Sequence, residues 1–358
     1  MKEKKLELKH ALAYYLPQYH EVKENNEWWG KGFTEWTNVG DAIAYSKKQV
    51  IRKPSQLGYY TLDNASIIEK QYKIARKAGI DTFCFWHYWF DDNDLLLEKP
   101  AEKLLNSDAS VEFCFAWANH SWYNKTKGIL LKEQKYDYSL AKHFNYLIKF
   151  FLDPRYRKID NKPVLVVYNS KHCQNFREMK VYFEREIKNY GLDGIYFILE
   201  NTNSEQFSQI GGDAYLNSCR FLKFRSFSRK IFDKILYQMD IRLKIKTPRF
   251  YNYIDCVKQL NNHIDPYSKE MPIVFPGWDS TIRHKKGGVC LIGSNPNSFG
   301  SHLENVAEIL IERDVDDRVL MVKSWNEWAE GNFMEPCDLY EDAFLFEFSK
   351  RFFINEKL

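Results

Sequence analysis

Between Lys323 and Pro336 the chain reads KSWNEWAEGNFMEP, with Glu327, Glu330 and Glu335 set among Trp325 and Trp328, directly after the apolar run RVLMV. Carboxyl groups crowded at the end of a core strand suit general acid and base work, because the charge on one raises the proton affinity of the next. The competing reading is a solvated loop with packed tryptophans. A second dense stretch, YLPQYHEVKENNEWWGKGFTEWTNV (Tyr15 to Val39), carries the adjacent Trp28 and Trp29 and another Glu–Trp pair, Glu35 and Trp36. An exposed tryptophan pair is unfavourable, so this loop is expected to fold over something.

The elements able to hold these groups are eight short runs rich in β-branched and aromatic residues. They cover residues 10–18, 81–89, 112–119, 162–169, 195–201, 212–218, 272–279 and 318–325. Near-continuous apolar strands point to a sheet covered on both faces. Helical patterns separate most of them, at residues 64–79 (with Gly79 as a stop), 139–153, 175–191 and 301–314. The link from the fifth run to the sixth is short and polar, a weak setting for a helix. The alternation predicts an α/β fold, a single (β/α)8 TIM barrel spanning residues 1–358. A doubly wound open sheet is the alternative, although no GxGxxG follows the first strand.

Polar residues collect at the strand ends. His20 follows the first strand and His87 lies in the second. Asn119 and His120 end the third, Tyr168 the fourth, Glu200 and Asn201 the fifth and Asp279 the seventh; Glu327 follows the eighth. In a barrel these positions converge on the C-terminal mouth. One such residue is commonly a cap or turn residue; seven of eight strands ending this way point to a site.

Composition narrows the partners. An aromatic content of 16% suits sugar rings, whose C–H faces stack on aromatic ones, and a net charge of +4 is too small to argue for nucleic acid. Seven cysteines form no CxxC pair, so neither a zinc nor a thioredoxin-like site is expected, and no cofactor is implied. No signal peptide is read at MKEKKLELKH and no 18-residue apolar run occurs, so a cytoplasmic location is expected. Residues 219–250 break the rhythm with ten Lys/Arg against two Asp. This segment is predicted to be a helical insertion after strand 6, with Phe232, Ile235, Leu236 and Met239 on one face. Peripheral contact with the inner face of a membrane is one reading; an insertion packed on the barrel with a solvated basic face is the favoured one.

Together, YLPQYH…NNEWWGKGFTEWTNV, FCFWHYWF, WAN, FPGWD and SWNEWAEGNFMEP resemble the WbsX-like glycosyltransferase family over about residues 10 to 350. That family is similar to glycoside hydrolase family 99, the retaining endo-α-mannosidases and endo-α-mannanases. The resemblance implies a (β/α)8 barrel and a carbohydrate-active enzyme of surface polysaccharide biosynthesis (O-antigen, capsule or lipopolysaccharide), acting on an oligosaccharide or lipid-linked glycan. It implies that Glu327 is a base on the sugar 2-hydroxyl and Glu330 the acid on the leaving oxygen, through a 1,2-anhydro sugar. Three apart on a helical turn, the two side chains are expected roughly 5–6 Å apart, and for Glu330 to act as an acid near neutrality its pKa must be raised. Sugar-contacting roles are expected for Tyr15, His20, Trp28, Trp29, Glu35, Trp36, His87, Trp117, Asn119, His120, Tyr168, Glu200, Asn201, Asp279, Trp325, Asn326, Trp328 and Glu335; for His87 a satisfied strand end, and for Glu335 a loop cap, is the equal alternative. One departure stands at His120: the family pattern WANENW reads WANHSW here. A glycan-degrading hydrolase and a non-catalytic glycan-binding protein are the alternatives.

Overall fold

The computed structural model describes residues 5–124, 128–222 and 227–355. Eight parallel strands form its centre: β1 His10–Tyr15, β2 Thr82–Asp91, β3 Phe113–Trp117, β4 Lys162–Val167, β5 Tyr196–Glu200, β6 Ala214–Leu216, β7 Ile273–Val274 and β8 Val319–Val322. Their order in the sheet is β6-β5-β4-β3-β2-β1-β8-β7. Each strand therefore lies beside its neighbour in sequence, and β1 beside β8, with none of the reversal of a doubly wound sheet. The remaining seam is bridged ahead of β7, where Met271 N donates to Tyr215 O (2.7 Å) and Tyr215 N to Lys269 O (3.1 Å). The sheet is a nearly closed barrel.

Helices α1 Ala65–Ala78, α2 Lys99–Leu105, α3 Leu140–Phe151, α4 Phe176–Glu186, α5 Ser204–Ile210, α6 Phe227–Leu243, α7 Tyr253–Asn261, α8 Pro296–Leu310 and α9 Ala343–Arg351 alternate with the strands. Local chemistry sets their ends. Asn64 caps α1 by accepting from Ser66 N, and Gly79 closes it in the left-handed conformation at φ 96. A capping box between Asn295 and Ser298 starts α8 five residues ahead of the expected position. The short polar link between β5 and β6 does form a helix, α5, because Asn203 accepts from Gln206 N.

Both faces of the strands are buried, as near-continuous apolar runs require; the first nine residues of β2 are all buried. Residues in register on neighbouring parallel strands share a face. Trp86 aligns with Ala116 and Val166 and stacks on Tyr14 at 4.5 Å, which places this set toward the barrel interior. His87 aligns with Trp117 and turns outward, its Nε2 lying 3.1 Å from His143 on α3.

The insertion after β6 contains α6, then a strand at Arg249–Asn252 that pairs with Val289–Ile292. Residues 223–226 of the expected insertion lie outside the described residues. The basic side chains Lys230, Lys234 and Arg242 are exposed, as the favoured reading expects, but the apolar face is not packed inward. Asp233 and Asp240 of α6 turn inward to Tyr251 and Arg249, while Phe232, Ile235 and Met239 are about half exposed. Among the described residues, no helix is long and apolar enough to cross a membrane.

Candidate active site

Strand β8 delivers Lys323 and then a tight hairpin. Asn326–Glu327 pairs antiparallel with Asn332–Phe333, and Trp328–Glu330 forms one 3-10 turn between them. The expected helical turn is thus replaced by a tighter one, with Glu327 ahead of it at φ −82, ψ 67. Gly331 closes the turn at φ 55, where a Cβ would meet the Asp279 Cβ at 2.7 Å, so only glycine fits. Ser324 Oγ accepts from Glu327 N (3.1 Å) and donates to Asn332 O (2.6 Å), bracing the hairpin from within. Glu335 anchors it from behind. Its Oε1 accepts from Gln71 Nε2 (2.6 Å) and Trp325 Nε1 (3.1 Å), its Oε2 from Trp328 Nε1 (2.5 Å) and Tyr60 OH (2.9 Å).

At the front, Glu327 is buried and accepts from the Trp86 indole at 2.8 Å. Trp86 lies between Tyr14, stacked on it, and Tyr168, edge-on at 5.2 Å. Beneath, Tyr14 OH and Ser218 Oγ donate to Glu200. Lys323 Nζ lies 2.9 Å from Ser218 Oγ and 3.5 Å from Glu200 Oε1. On the other side, Arg283 bridges two carboxylates: Nη1 to Glu330 Oε1 (2.5 Å) and Nη2 to Glu35 Oε1 (2.6 Å). Four carboxyl groups and two cations therefore converge around Trp86 and Tyr168.

Burial, and then the Glu330 charge, push the Glu327 carboxyl up to about 7; Lys323, the Trp86 hydrogen bond and Arg283 pull the other way without cancelling them. Burial alone would depress Lys323, but the neighbouring Glu200 charge and the groups around it raise it, so it stays cationic. For Arg283 the same balance is tipped upward by Glu35 and Glu330. A carboxyl poised near 7 is well matched to taking a proton from a hydroxyl near neutrality. If Glu327 is a base, kcat/KM is expected to rise with pH through about 7, as Glu327 loses its proton. Lys323→Met removes a charge that favours the anion, so the rising limb should shift to higher pH; an unmoved limb would separate it from Glu327.

Of the residues singled out from sequence, Glu327, Glu330, Glu35, Glu200 and Tyr168 come together here, with the His120 ring 5.5 Å from Tyr168. The loop after β1 lies over the same end: Trp36 sits 5.7 Å from Trp328, and Trp28 meets Trp122 edge-on at 5.9 Å, whereas Trp29 is 43% exposed. Asp279 donates its N–H to Glu330 O (2.6 Å), but its carboxylate is used by Gln49 and Thr281.

Others stand elsewhere, for reasons of geometry. His87 and Trp117 face the helix layer, and burial pushes His87 down to about 3, so its ring is neutral. Tyr15 also faces outward, donating to Gln71 of α1. Trp325 packs against Phe83 behind the hairpin and does not form the pocket wall, while Trp328 is stacked on Phe333. The Asn326 side chain clamps both backbone groups of Leu16, and Asn119 does the same work at Asn169. Asn201 donates to Tyr168 O, His20 is tied to Pro17 O, and Glu335 is enclosed by its four donors. The residues that were not anticipated are Tyr14, Trp86, Ser218, Arg283 and Lys323. Tyr14 and Trp86 each precede by one position a residue that was.

Comparison with known proteins agrees with the barrel fold. A family model described as Glycosyltransferase WbsX matches residues 11–347. Proteins named WxcX, described as uncharacterized, from two strains of Xanthomonas campestris pv. campestris are 26% identical over 337 residues, covering 91% of this chain and 47% of theirs. The chain thus spans about half the length of the curated relatives it matches. Among solved structures, a GH99 endo-alpha-mannosidase from Bacteroides thetaiotaomicron in complex with bis-tris-propane superposes with a TM-score of 0.57 at 17% identity, covering 96% of each chain. A glycoside hydrolase-like protein gives 0.60 at 14% identity, covering 98% of this chain and 96% of its own. At these identities the likeness is one of fold.

Proposed function

The chain belongs to the glycosyltransferase WbsX family, and from that premise we propose that it is a carbohydrate-active enzyme that breaks or transfers an α-mannosyl-like glycosidic bond with Glu327 and Glu330. One observation carries the reading: the two glutamates share one braced hairpin at the barrel mouth, with Glu327 buried between the charges of Lys323 and Arg283 and held near pKa 7.

In the proposed reaction the Glu327 carboxylate takes the proton of the sugar 2-hydroxyl. Its oxygen bonds to C1 as the bond from C1 to the leaving oxygen breaks, and the leaving oxygen takes the proton of Glu330. The product is a 1,2-anhydro sugar. Water or an acceptor hydroxyl then gives a proton to Glu330 and attacks C1, while O2 leaves C1 and recovers its proton from Glu327. Arg283 occupies Glu330 Oε1 and leaves Oε2 for the leaving oxygen. Positive charge develops on the ring at the transition state, and the excess of carboxylates over cations around the site favours it. The axial 2-hydroxyl of an α-mannoside lies opposite its leaving group, which is the geometry this step needs.

The family description favours glycosyl transfer, and we place that transfer in assembly of a surface polysaccharide, with an oligosaccharide or lipid-linked glycan as substrate. Hydrolysis in glycan degradation is the second reading, supported by the likeness in fold to an endo-alpha-mannosidase. Both share the first step. An α-mannosyl substrate with a free 2-hydroxyl is expected to turn over, and its 2-deoxy counterpart to be inert over the same time. Comparable turnover of the two would remove the 2-hydroxyl from the mechanism. Product analysis with and without a sugar acceptor then separates transfer from hydrolysis.

A further inference from the structure

The helix inserted after β6 is folded inside out, and we propose that its outer face docks on an anionic lipid surface. The packed side of α6 is the charged one. Arg229 donates to Phe250 O (2.7 Å), Asp233 accepts from Tyr251 OH (2.9 Å), and Asp240 accepts from Thr247 (2.6 Å) and Arg249 (2.6 Å). Positions 229, 233 and 240 lie within one narrow arc at 100° per residue. Ile231, Phe232, Ile235, Met239 and Leu243 run round one side of the helix, from directly opposite that arc back toward its edge, each between 45% and 58% exposed. Eight large apolar side chains in the span from Ile231 to Ile245 are exposed. A packed insertion would have buried that apolar side and left its acids to water.

Charge selects the occupant. From Phe227 to Lys246, α6 and its exit carry six Lys/Arg, Arg229 and Lys230 at the start among them, against two Asp. Both aspartates are engaged on the packed side, Asp233 with Arg229 and Asp240 with Arg249. Lys230, Lys234, Arg242, Lys244 and Lys246 make no ion pair among the described residues and border or follow the apolar arc. Half-exposed apolar side chains flanked by such lysines match the boundary between acyl chains and anionic headgroups. A second copy of the chain would bring the same positive charge to the contact, and a neutral apolar partner would leave the lysines without a role.

The attachment has a direction. After α6, Arg249 N donates to Gly288 O (3.0 Å), and the strand Arg249–Asn252 pairs with Val289–Ile292. That segment begins six residues after Arg283, the residue bridging Glu35 and Glu330. Before α6, Ser218 contacts Lys323 and Glu200. Both ends of the insertion are therefore rooted at the site's rim, so docking through α6 sets the barrel mouth beside the headgroups.

The test is vesicle co-sedimentation of the full chain, and it is independent of catalysis. Wild type should bind phosphatidylcholine vesicles containing phosphatidylglycerol and leave pure phosphatidylcholine unbound. Binding should weaken at least about tenfold in high salt, because surface attraction is screened. Lys230→Gln with Lys234→Gln should lose about as much, and Ile235→Ser with Met239→Ser should weaken binding even in low salt, all four sites being exposed and the variants unchanged in thermal midpoint. No binding of wild type to anionic vesicles in low salt overturns the proposal. So does binding that neither pair of substitutions weakens, or a dimer in light scattering that the Ile235 and Met239 changes dissolve without any vesicle binding. Vesicle binding by a chain inert toward every glycoside would leave this proposal standing and remove the catalytic one.

Discussion

Glu327→Gln is expected to lower turnover by about 10²–10⁴-fold on every substrate, whereas Glu330→Gln should do so only when the leaving group needs a proton. The distinction follows from what each carboxyl is asked to do. A glycosyl fluoride departs as fluoride without a strong acid behind it, so an α-mannosyl fluoride bypasses the proposed work of Glu330. It does not bypass the 2-hydroxyl, which must still lose its proton to Glu327. Both substitutions preserve shape. The amide oxygen introduced at position 327 can still accept from the Trp86 indole, and the one introduced at position 330 from Arg283. Folding should therefore survive, and circular dichroism with thermal midpoints checks that it does. If the fluoride rescues Glu327→Gln and not Glu330→Gln, the two roles are exchanged. If both variants turn over a natural glycan normally, the hairpin is not catalytic.

The barrel was legible because its signals are redundant. Eight apolar runs alternate with helical patterns, and losing any one boundary leaves the alternation intact; the early start of α8 and the existence of α5 changed nothing in the topology. The two glutamates were legible for a different reason: a family motif fixes them by spacing. What could not be read was which face of a strand each residue presents. AYY in β1 and FWHYW in β2 are buried on both faces, so hydrophobicity does not alternate and parity is hidden. A shift of one position exchanges interior for helix layer. That is why Tyr15 and His87 were named where Tyr14 and Trp86 line the site. Lys323 has the same parity as Met321 on β8, but a lysine at the end of a strand reads as solvated until a Glu200 is seen opposite it. Arg283 lies in a turn among His284, Lys285 and Lys286 and reads as part of a basic surface; only coordinates show that it reaches two carboxylates. For α6 the pattern was visible and its orientation was not, because a low-contrast amphipathic helix can be packed from either side.

Glu335→Ala is expected to be the most destabilising single change in the hairpin. Two indole N–H groups, one amide and one phenol converge on its carboxyl, and a buried donor left without an acceptor costs about 1–3 kcal/mol. Even with partial repair by water, a loss of about 3 kcal/mol or more should follow from several such donors. The size should depend on pH, with a definite sign. Burial pushes Glu335 up to about 7 from an ordinary 4.5, although its four donors pull it down. Between those values the folded protein holds a proton that the unfolded chain has released, so this group's stabilisation is complete below about pH 4.5 and is lost as pH rises through about 7. Wild type should therefore lose stability across that window, and the alanine variant, lacking the group, should lose less. The gap between them should be widest near about pH 5 and narrower at about pH 8, as measured by denaturant midpoints at the two values. Glu335→Gln keeps one acceptor oxygen but turns an N–H₂ toward donors, so it should fall between the two. Equal midpoints for wild type and the alanine variant at both pH values would mean that Trp325 and Trp328 are held by packing alone, and the hairpin that carries Glu327 and Glu330 would need another anchor.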